Sequence, residues 1–398
     1  MTAGFDPSGG ALAWCEISTS ALGHNVRSFR QRVGPGVRLG VVVKADAYGH
    51  GLALASRAFL AAGADWLIVN ALFEAEALRA EGLAAPIYVV GHVPPWHAER
   101  AVAADARLVV YDPDVVRALS AAAGASGREA RVHLKIETGN HRQGLALADA
   151  LALAELAAGL PGVVVEGIST HFADIEDTTD HGFAATQLAR FREAEAAFRD
   201  AGLPVLVPNT ANSAAALLQP TTHGGLVRIG VAAYGLWPSR ETRVAAMAPA
   251  PLRDADGAWG GFHPELRPAL TWRARLVQVK DVPRGAWIGY GRTFRATSDL
   301  RIAIVPVGYH EGYDRRLSNL GHVLVDGVRA PVRGRICMNM MMVDVTDIPT
   351  ARTGAVATLL GVDGDEAVTA DDLASWMGTI HYEVVSRIHP SVPRVAVP

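Results

Sequence analysis

Residues 41–51, VVVKADAYGHG, place a lysine directly after a run of three valines. A β-branched run is typical of a buried strand, and the small residues and glycines that follow are typical of its end. An ammonium group at the end of a buried strand has a lowered pKa, which leaves its amine free to attack a carbonyl group. Lys44 is therefore a candidate for covalent attachment of a carbonyl compound. A lysine that reaches solvent from a strand end is the structural alternative.

The composition indicates a globular protein that acts on small molecules. The chain has 398 residues, of which 50% are hydrophobic, and this length exceeds what one hydrophobic core usually supports, so we expect two domains. A formal net charge of -3 without blocks of like charge argues against nucleic acid or an anionic membrane as the main partner. The chain shows no leader at Met1, no apolar run of membrane-spanning length and only two cysteines, Cys15 and Cys337. We therefore expect a cytoplasmic protein.

Short β-branched runs recur through the first 240 residues or so, and most are followed by alanine-rich stretches of helical composition. Eight strands that alternate with helices predict a (β/α)8 TIM-like barrel over residues 1–247. An open doubly wound sheet is the alternative, but no G-x-G-x-x-G motif follows the first strand. The eight predicted strands are residues 37–44, 66–70, 87–91, 108–112, 132–137, 163–171, 205–210 and 226–234.

The sequence changes character after this region. Residues 248–268 are rich in Pro, Gly and Ala and are typical of a linker or long loop. Residues 269–398 carry dense strand signals with few helices, and they predict a separate, mostly-β C-terminal domain. Its predicted strands are residues 271–280, 301–307, 322–325, 329–333 and 392–397, with short helices at 370–377 and 382–388. The third and fourth of these strands form a predicted hairpin that turns at Asp326-Gly327.

Polar residues cluster at the ends of the predicted barrel strands, where the active sites of such barrels lie. Several basic side chains that converge on one place are costly unless they bind an anion. The pattern therefore predicts an anionic cofactor or substrate. The residues concerned are Lys44, Lys135, Arg142, His171, Asn212, Ser213, Arg228 and Gly230.

A set of motifs runs in order through both predicted domains. They are KADAYGHG at 44–51, THFA at 170–173, ANS at 211–213, VRIG at 227–230, YG at 290–291, VGY at 307–309, GRICM at 334–338 and VPR at 392–394. On these motifs the chain resembles the alanine racemases, which are fold-type III enzymes dependent on pyridoxal 5'-phosphate (PLP). The resemblance implies an isomerase that interconverts L-alanine and D-alanine and supplies D-alanine for cell-wall synthesis.

The resemblance also implies residue roles in the reaction. Lys44 would bind PLP covalently and act as the acid/base on one face of the substrate Cα, with Tyr309 on the other face. Two bases are needed because a proton removed from one face must be replaced from the opposite one. Arg228 would face the pyridine nitrogen and keep the ring unprotonated, since a guanidinium only donates. His171 would support Arg228, and Asn212 would be a further supporting residue.

For the cofactor's phosphate, the resemblance implies hydroxyl groups from Tyr48 and Ser213 and backbone N–H groups from Gly230 and Val231. The loop after the eighth strand is the usual phosphate site of such barrels.

For the substrate carboxylate, the resemblance implies Arg142 together with the backbone N–H of Met338. Lys135 matches a lysine that many relatives carry as a carbamate, and an unmodified lysine is the alternative. Tyr290, Met338 and Tyr309 lie in the predicted β domain, and in this family they come from the partner subunit. The resemblance therefore implies a homodimer with shared active sites.

The chain departs from the family pattern at several positions near the implied substrate site. Glu311 stands where an Asp is usual, Asn339 replaces the Asp after Cys-Met, and Asn140-His141 replaces Met-Gly. Pro390 stands where a phosphate-contacting tyrosine is usual. These changes suggest a reshaped pocket and, as an alternative function, a racemase of broader specificity that accepts serine, lysine or other side chains.

The sequence alone also allows three other functions. A fold-type III decarboxylase would carry an acidic residue facing the pyridine nitrogen, and Arg228 argues against it. A non-catalytic PLP-binding protein would resemble the barrel alone, and Tyr309 in a second domain argues against it. A catalytically inactive relative is favoured only by the substitutions around Tyr309 and Asn339.

Overall fold

The computed structural model describes residues 9–203, 205–247 and 265–398, which form two compact units. The barrel unit comprises Ala21–Ala45 and the described part of Ala55–Pro268. The β unit comprises residues 9–20 together with Asp46–Leu54 and Ala269–Pro398. Most of the predicted linker at 248–268 lies outside the described residues.

The strands are β1 (Ala13–Ser18), β2 (Arg38–Val42), β3 (Trp66–Val69), β4 (Ile87–Val89), β5 (Ala106–Val110), β6 (Ala130–Lys135), β7 (Val163–Ser169), β8 (Leu226–Ile229), β9 (Leu270–Arg275), β10 (Gln278–Val282), β11 (Trp287–Ile288), β12 (Phe294–Arg295), β13 (Leu300–Val305), β14 (His322–Val325), β15 (Val328–Pro331), β16 (Met341–Asp344), β17 (Val356–Asp363), β18 (Glu366–Val368) and β19 (Arg394–Val397).

The helices are α1 (Thr19–Val33), α2 (Lys44–Gly49), α3 (Leu52–Ala61), α4 (Leu72–Ala80), α5 (Ala98–Ala103), α6 (Pro113–Ser126), α7 (Leu147–Gly159), α8 (Gly182–Asp200), α9 (Ser213–Leu218), α10 (Arg240–Met247), α11 (Ala370–Met377) and α12 (His381–Ser386). Within the described residues, no helix is long and apolar enough to cross a membrane.

The barrel unit is built on seven parallel strands in the order β7-β6-β5-β4-β3-β2-β8. Helices connect most of them, as the alternation in the sequence predicts. This arrangement confirms the TIM-like barrel, and the sheet-rich C-terminal region confirms the second part of the predicted fold.

The predicted strand at 205–210 is not a regular strand, although its backbone bridges β7 and β8. Val207 N and Asn209 N donate to carbonyls of β7, and Gly225 N and Arg228 N donate to carbonyls at 208 and 211. Pro208 has no N–H and interrupts the ladder, which explains why the prediction of a strand was wrong here. The segment nevertheless closes the ring of strands.

The centre of the barrel is a cluster of inward-facing side chains from its strands. The pleat places alternate residues on this face, so that β8 contributes both Leu226 and Arg228 on the same side. The apolar members of the cluster are Trp66, Ile68, Tyr88, Val109, Val207 and Leu226.

The β unit contains a sheet in the order β15-β14-β17-β9-β1-β19, with β18 paired to β17. The N-terminal strand β1 lies between β9, its antiparallel neighbour, and β19, its parallel neighbour. Residues 1–247 were predicted to form the barrel domain, yet β1 belongs to the other unit. Its partners follow it by more than two hundred residues, so no local pattern reveals the pairing.

The predicted strand at 271–280 is two strands. β9 joins the large sheet, and β10 pairs with β13 in a separate three-stranded sheet with β16. Continuous β propensity does not indicate which sheet a strand joins, so the break was missed. The hairpin between β14 and β15 is as predicted, with a two-residue turn at Asp326 and Gly327, both with positive φ.

The segment after β2 has an unusual backbone. Four successive non-glycine residues, from Ala45 to Tyr48, have φ between 52° and 54°, and the next residue, Gly49, has φ of 79°. The helical turn α2 is therefore left-handed over these residues, a conformation that costs about 1 to 2 kcal/mol per residue for L-amino acids. Such strain clusters at functional sites.

Candidate active site

Lys44 lies directly beyond the carboxyl end of β2, at the start of the left-handed turn. The neighbouring backbone is fixed on both sides: Val43 N donates to Ile68 O at 2.7 Å, and Ala45 N donates to Glu74 Oε1 at 2.7 Å. The Lys44 side chain is half-buried. Its direction from the strand end is thus set by hydrogen bonds of the adjacent peptides.

Glu74 is a site residue that the sequence analysis missed. Its other carboxylate oxygen accepts hydrogen bonds from Asn70 N at 2.8 Å and Ala71 N at 2.9 Å, so one buried carboxylate joins the β3 end to the Lys44 turn. Glu74 is the third residue of α4, the position of the glutamate in a capping box, but Ala71 stands at the N-cap where that motif has Ser or Thr, so the sequence signal is incomplete.

The surroundings of Lys44 favour a neutral amine. Burial lowers the pKa of Lys44 below its ordinary value, and the charge of Arg142 lowers it further. Glu74 and Glu176 oppose this shift in pKa without reversing it. An amine with a lowered pKa is a better nucleophile and a better proton acceptor near neutral pH.

Lys135, Arg142 and His171 line one small cavity at the ends of β6 and β7. Burial, together with the charges of Arg228 and Arg142, lowers the pKa of Lys135 well below its ordinary value. Burial also lowers the pKa of His171 well below its ordinary value, and Lys135 adds to that effect. Glu137 is the carboxylate among the side chains that line this cavity, against three that can carry positive charge, so the cavity suits a further anion.

Arg228 is buried near the end of β8 and its guanidinium is held by four acceptors. Nη2 donates to Thr170 O at 2.9 Å and Thr210 O at 3.1 Å, and it lies 3.4 Å from His171 Nδ1. Nη1 donates to Asn209 Oδ1. Burial lowers the pKa of Arg228 to about 10, which leaves it charged at neutral pH.

Asn212, Ser213 and Gly230 meet where β8 ends and α9 begins. Asn212 caps α9 by accepting a hydrogen bond from Ala215 N at 2.9 Å, and its amide donates to Glu176 Oε1 at 2.7 Å. Gly230 N donates to Ser213 Oγ at 2.8 Å. The hydroxyl and the peptide predicted to hold a phosphate are therefore adjacent, and Val231 follows in a short 3-10 turn.

The two units divide the predicted site residues between them. The barrel unit contains Lys44, Lys135, Arg142, His171, Asn212, Ser213, Arg228, Gly230 and Val231. The β unit contains Tyr48, Tyr290, Tyr309 and Met338. The barrel group combines lysine, arginine and histidine side chains, a donor set that fits an anion. Among the described residues, no group of three His, Cys, Asp or Glu side chains could hold a metal ion.

In the β unit, the loops that carry Tyr309 and Met338 are joined to each other. Tyr309 N donates to the carbonyl of Cys337 at 3.1 Å, and the next peptide donates to Met338 O at 2.9 Å. Gly308 is required here, because a Cβ on it would lie 2.2 Å from that Cys337 carbonyl oxygen. The side chains of Tyr309, Met338 and Tyr290 are 43%, 54% and 70% exposed within this chain.

The two departures at 311 and 339 prove to be partners. Asn339 Nδ2 donates to Glu311 Oε1 at 2.7 Å, and Gly308 N donates to Glu311 Oε2 at 2.8 Å. Tyr48, also in the β unit, is buried, and its ring lies 6.1 Å from that of Tyr382.

Comparison with known proteins gives matches over nearly the whole chain. Residues 17–238 match the profile of the alanine racemase N-terminal domain, and residues 269–396 match that of the C-terminal domain. The chain is 41% identical to alanine racemase of Syntrophobacter fumaroxidans, covering 95% of this chain and 96% of the relative. It is 38% identical to alanine racemase of Leptospira interrogans, covering 97% and 96%.

Among solved structures, alanine racemase of Streptomyces lavendulae matches with a TM-score of 0.86 and 37% identity, covering 98% of this chain and 97% of that one. Two domain profiles in the expected order, together with relatives matched over nearly their full length, are enough to assign the chain to a family. The resemblance drawn from the sequence motifs is confirmed: this chain belongs to the alanine racemase family.

Proposed function

We propose that this chain, as a racemase of that family, interconverts L-alanine and D-alanine by a two-base mechanism with Lys44 and Tyr309. The observation that carries the proposal is the position of Lys44 at the end of β2, where burial and the charge of Arg142 lower the pKa of its amine. A neutral amine both attacks a carbonyl group and accepts a proton.

The residues of the barrel unit suit PLP, an aldehyde that carries a phosphate. Lys44 supplies the amine for the aldehyde, and Ser213 with the peptides of Gly230 and Val231 supplies donors for the phosphate. We include Tyr48 among the residues that bind the phosphate, because it belongs to the family motif at 44–51. When bound, PLP supplies an electron-withdrawing ring that weakens the Cα–H bond of an attached amino acid.

Arg228 would orient the ring by donating a hydrogen bond to its nitrogen. Because a guanidinium keeps its proton, the ring nitrogen stays unprotonated. The ring then withdraws electron density less strongly. Rapid return of the proton to Cα is then favoured over side reactions. His171 and Asn212 would hold this part of the site in place through their contacts with Arg228 and Glu176.

Arg142 would bind the substrate carboxylate, together with the backbone N–H of Met338. We further propose that Lys135 is carbamylated, because carbamylation requires the neutral amine that its lowered pKa favours. A carbamate would place a negative charge beside Arg142. Incubation with carbon-labelled bicarbonate should give a carbamate NMR signal that is absent from Lys135→Gln.

We propose a homodimer in which the partner's Tyr309, Tyr290 and Met338 complete each barrel site. Their exposed side chains within one chain support this arrangement. We also propose that the enzyme acts in the cytoplasm and supplies D-alanine for cell-wall synthesis, in line with its family.

The test is exchange of the α-hydrogen of L- and D-alanine in deuterium oxide. The wild-type chain should exchange and interconvert both enantiomers. Lys44→Ala should lose both exchange and the visible absorbance of the lysine-bound cofactor. Tyr309→Phe should still exchange one enantiomer but interconvert the two at least about a hundredfold more slowly, because one face then lacks its acid/base.

Two variants provide matched controls. Lys280→Ala removes an exposed lysine of the β unit, and Tyr313→Phe removes a buried hydroxyl four residues from Tyr309. Both should retain wild-type exchange. Interconversion by Tyr309→Phe at the wild-type rate would contradict the two-base mechanism.

The substitutions near the implied substrate site also allow a wider substrate range. Asn140, which replaces the usual Met, lies 3.4 Å from the carbonyls of His171 and Phe172, so this loop has polar anchors of its own. We propose that serine or lysine is accepted beside alanine. The same exchange assay with L-serine and L-lysine tests this, and turnover of alanine alone would contradict it.

A further inference from the structure

Three polar side chains inside the barrel unit, which the proposed reaction does not use, lead away from Arg228. They are Asn209, His133 and Glu166. Asn209 and His133 are fully buried, and the Glu166 side chain is only 14% exposed. Buried polar groups in a barrel interior are costly unless each one is satisfied.

The direction of the first hydrogen bond is fixed by chemistry. Arg228 Nη1 is bonded to the Asn209 side chain, and a guanidinium has donors only. Asn209 must therefore present its oxygen to Arg228. Its amide nitrogen then faces the other way, towards His133 Nδ1 at 3.3 Å and the carbonyls of Ile168 and Val207 at 3.2 and 3.3 Å.

The same reasoning fixes the histidine. The Asn209 amide has two hydrogens for these three acceptors, and a proton on His133 Nδ1 would place two donors against each other. We therefore expect His133 Nδ1 to accept and carry no proton. The ring's proton therefore lies on Nε2, which is 3.0 Å from Glu166 Oε2. Burial lowers the pKa of His133, which agrees with a neutral ring.

The far end of the chain of hydrogen bonds is a carboxylate with its own counter-ion. Arg107 Nε lies 3.1 Å from Glu166 Oε2. Burial alone would raise the pKa of Glu166, but the hydrogen bond from His133 and the charge of Arg107 lower it below its ordinary value. Glu166 is therefore an anionic acceptor, as a donating Nε2–H requires.

We propose that Glu166, His133 and Asn209 are positioning residues that hold the guanidinium of Arg228 through hydrogen bonds of one fixed direction. Each donor and acceptor is determined by the next, so the Asn209 oxygen always faces Arg228. The cofactor part of this inference rests on the proposed function, in which Arg228 faces the ring nitrogen. Asn209 would then contribute to PLP affinity without touching PLP.

The first test does not involve the cofactor. Nitrogen NMR of histidine-labelled protein reports which ring nitrogen carries the proton, and His133→Gln assigns the signal. His133 should be neutral at neutral pH with its proton on Nε2. A proton on Nδ1, or a charged ring, would overturn the proposal whatever reaction the protein catalyses.

Asn209→Asp gives a sharper result, because it changes one donor into an acceptor of the same shape. Arg228 keeps its partner, but His133 Nδ1 now faces an oxygen and should gain a proton. The His133 signal should change from neutral to charged at neutral pH. An unchanged neutral signal in a folded variant, checked by thermal melting, would overturn the fixed direction.

The third test measures PLP affinity from absorbance. Asn209→Ala removes an acceptor of Arg228 and should weaken PLP binding by about tenfold, the effect of one lost hydrogen bond to a charged group. Asn209→Asp should bind PLP within about threefold of the wild type. His223→Gln, at a buried histidine bonded to a backbone carbonyl, is the control and should leave affinity unchanged.

Wild-type affinity in a folded Asn209→Ala variant would overturn the positioning role. If the wild-type chain itself failed to bind PLP, the proposed function would be contradicted and the cofactor part of this inference would fall with it. The hydrogen-bond direction would still be decided by the histidine signal alone.

Discussion

Lysine is rare in this protein: the chain has only Lys44, Lys135 and Lys280. The first two lie at the ends of barrel strands with lowered pKa values, and the third is exposed in the β unit. Arginine supplies the other basic side chains, so the two amines with lowered pKa values account for most of the lysines. With three lysines, the NMR signal of each side-chain amine can be followed separately.

In protein freed of PLP and of carbon dioxide, so that both amines are unmodified, titration of isotope-labelled lysines should show Lys135 with the lowest pKa and Lys44 below the ordinary value. Arg142→Gln should raise the pKa of both, because Arg142 disfavours a second positive charge at each amine. The fraction of neutral Lys44 at a given pH then falls, so reaction of Lys44 with PLP should shift to higher pH. NMR as a function of pH measures this, and Lys280 is the internal control. An unmoved Lys44 titration would contradict the electrostatic account.

At the scale of elements, two short segments hold strained or crowded backbones next to predicted site residues. One is the left-handed turn from Ala45 to Tyr48, which continues at Gly49. The other is the pair of loops that carry Tyr309 and Met338. Each segment contains a glycine whose added Cβ would meet a backbone carbonyl oxygen, at 2.0 Å for Gly49 and 2.2 Å for Gly308.

Gly49→Ala should destabilise the protein by about 3 kcal/mol. Gly49 has φ of 79°, and a Cβ on it would lie 2.0 Å from Val385 O within the β unit. Gly34→Ala is the matched control, since Gly34 has φ of 74° with nothing within 4 Å of an added Cβ. The control should cost only about 1 kcal/mol, the conformational part alone. Chemical denaturation compares the two, and equal losses would show that crowding at Gly49 is unimportant.

Asn339→Asp should destabilise the paired loops by about 2 kcal/mol at neutral pH, because it places a second carboxylate opposite that of Glu311. In the native chain, burial would raise the pKa of Glu311, but the hydrogen bonds from Asn339 and Gly308 N lower it. In the variant the carboxylate pair has a raised pKa, so its stability deficit should shrink as the pH falls towards the ordinary carboxyl range. Melting curves across pH test this.

The double variant Glu311→Gln with Asn339→Asp reverses the donor and the acceptor. It should restore most of the lost stability at neutral pH, because one amide again faces one carboxylate. Additive losses in the double variant would mean that the 2.7 Å contact between these side chains contributes nothing.

At the scale of the whole molecule, the two units divide the chemistry between them. The barrel unit contains the basic cluster, and the β unit contains the phenol of Tyr309. The proposed dimer makes each active site from the barrel of one chain and the β unit of its partner. Complementation between two inactive chains can test this directly.

Lys44→Ala and Tyr309→Phe chains, each nearly inactive, should regain about a quarter of wild-type activity when they are unfolded and refolded together. Half of the dimers are then mixed, and one of the two sites in each mixed dimer contains both native residues. Refolding each variant alone is the control. No recovery in mixtures whose dimers are verified by sedimentation would contradict sharing of sites between subunits.

The sequence by itself determined those features of the protein that neighbouring residues encode. Alternating β-branched and alanine-rich runs specified the barrel, and the ordered set of motifs between Lys44 and Arg394 specified the family, because each of these signals resides in neighbouring residues. The turn glycine Gly327 was equally visible, since the positive φ of a hairpin turn is a local requirement.

Tertiary structure alone decided which distant segments meet. It placed β1 in the β unit, used the interrupted segment around Pro208 to close the barrel, and brought Glu74 to the backbone next to Lys44. It also aligned Asn209 between His133 and Arg228. Such pairings depend on the packing and hydrogen-bond needs of residues far apart in the chain, and no local periodicity records those needs.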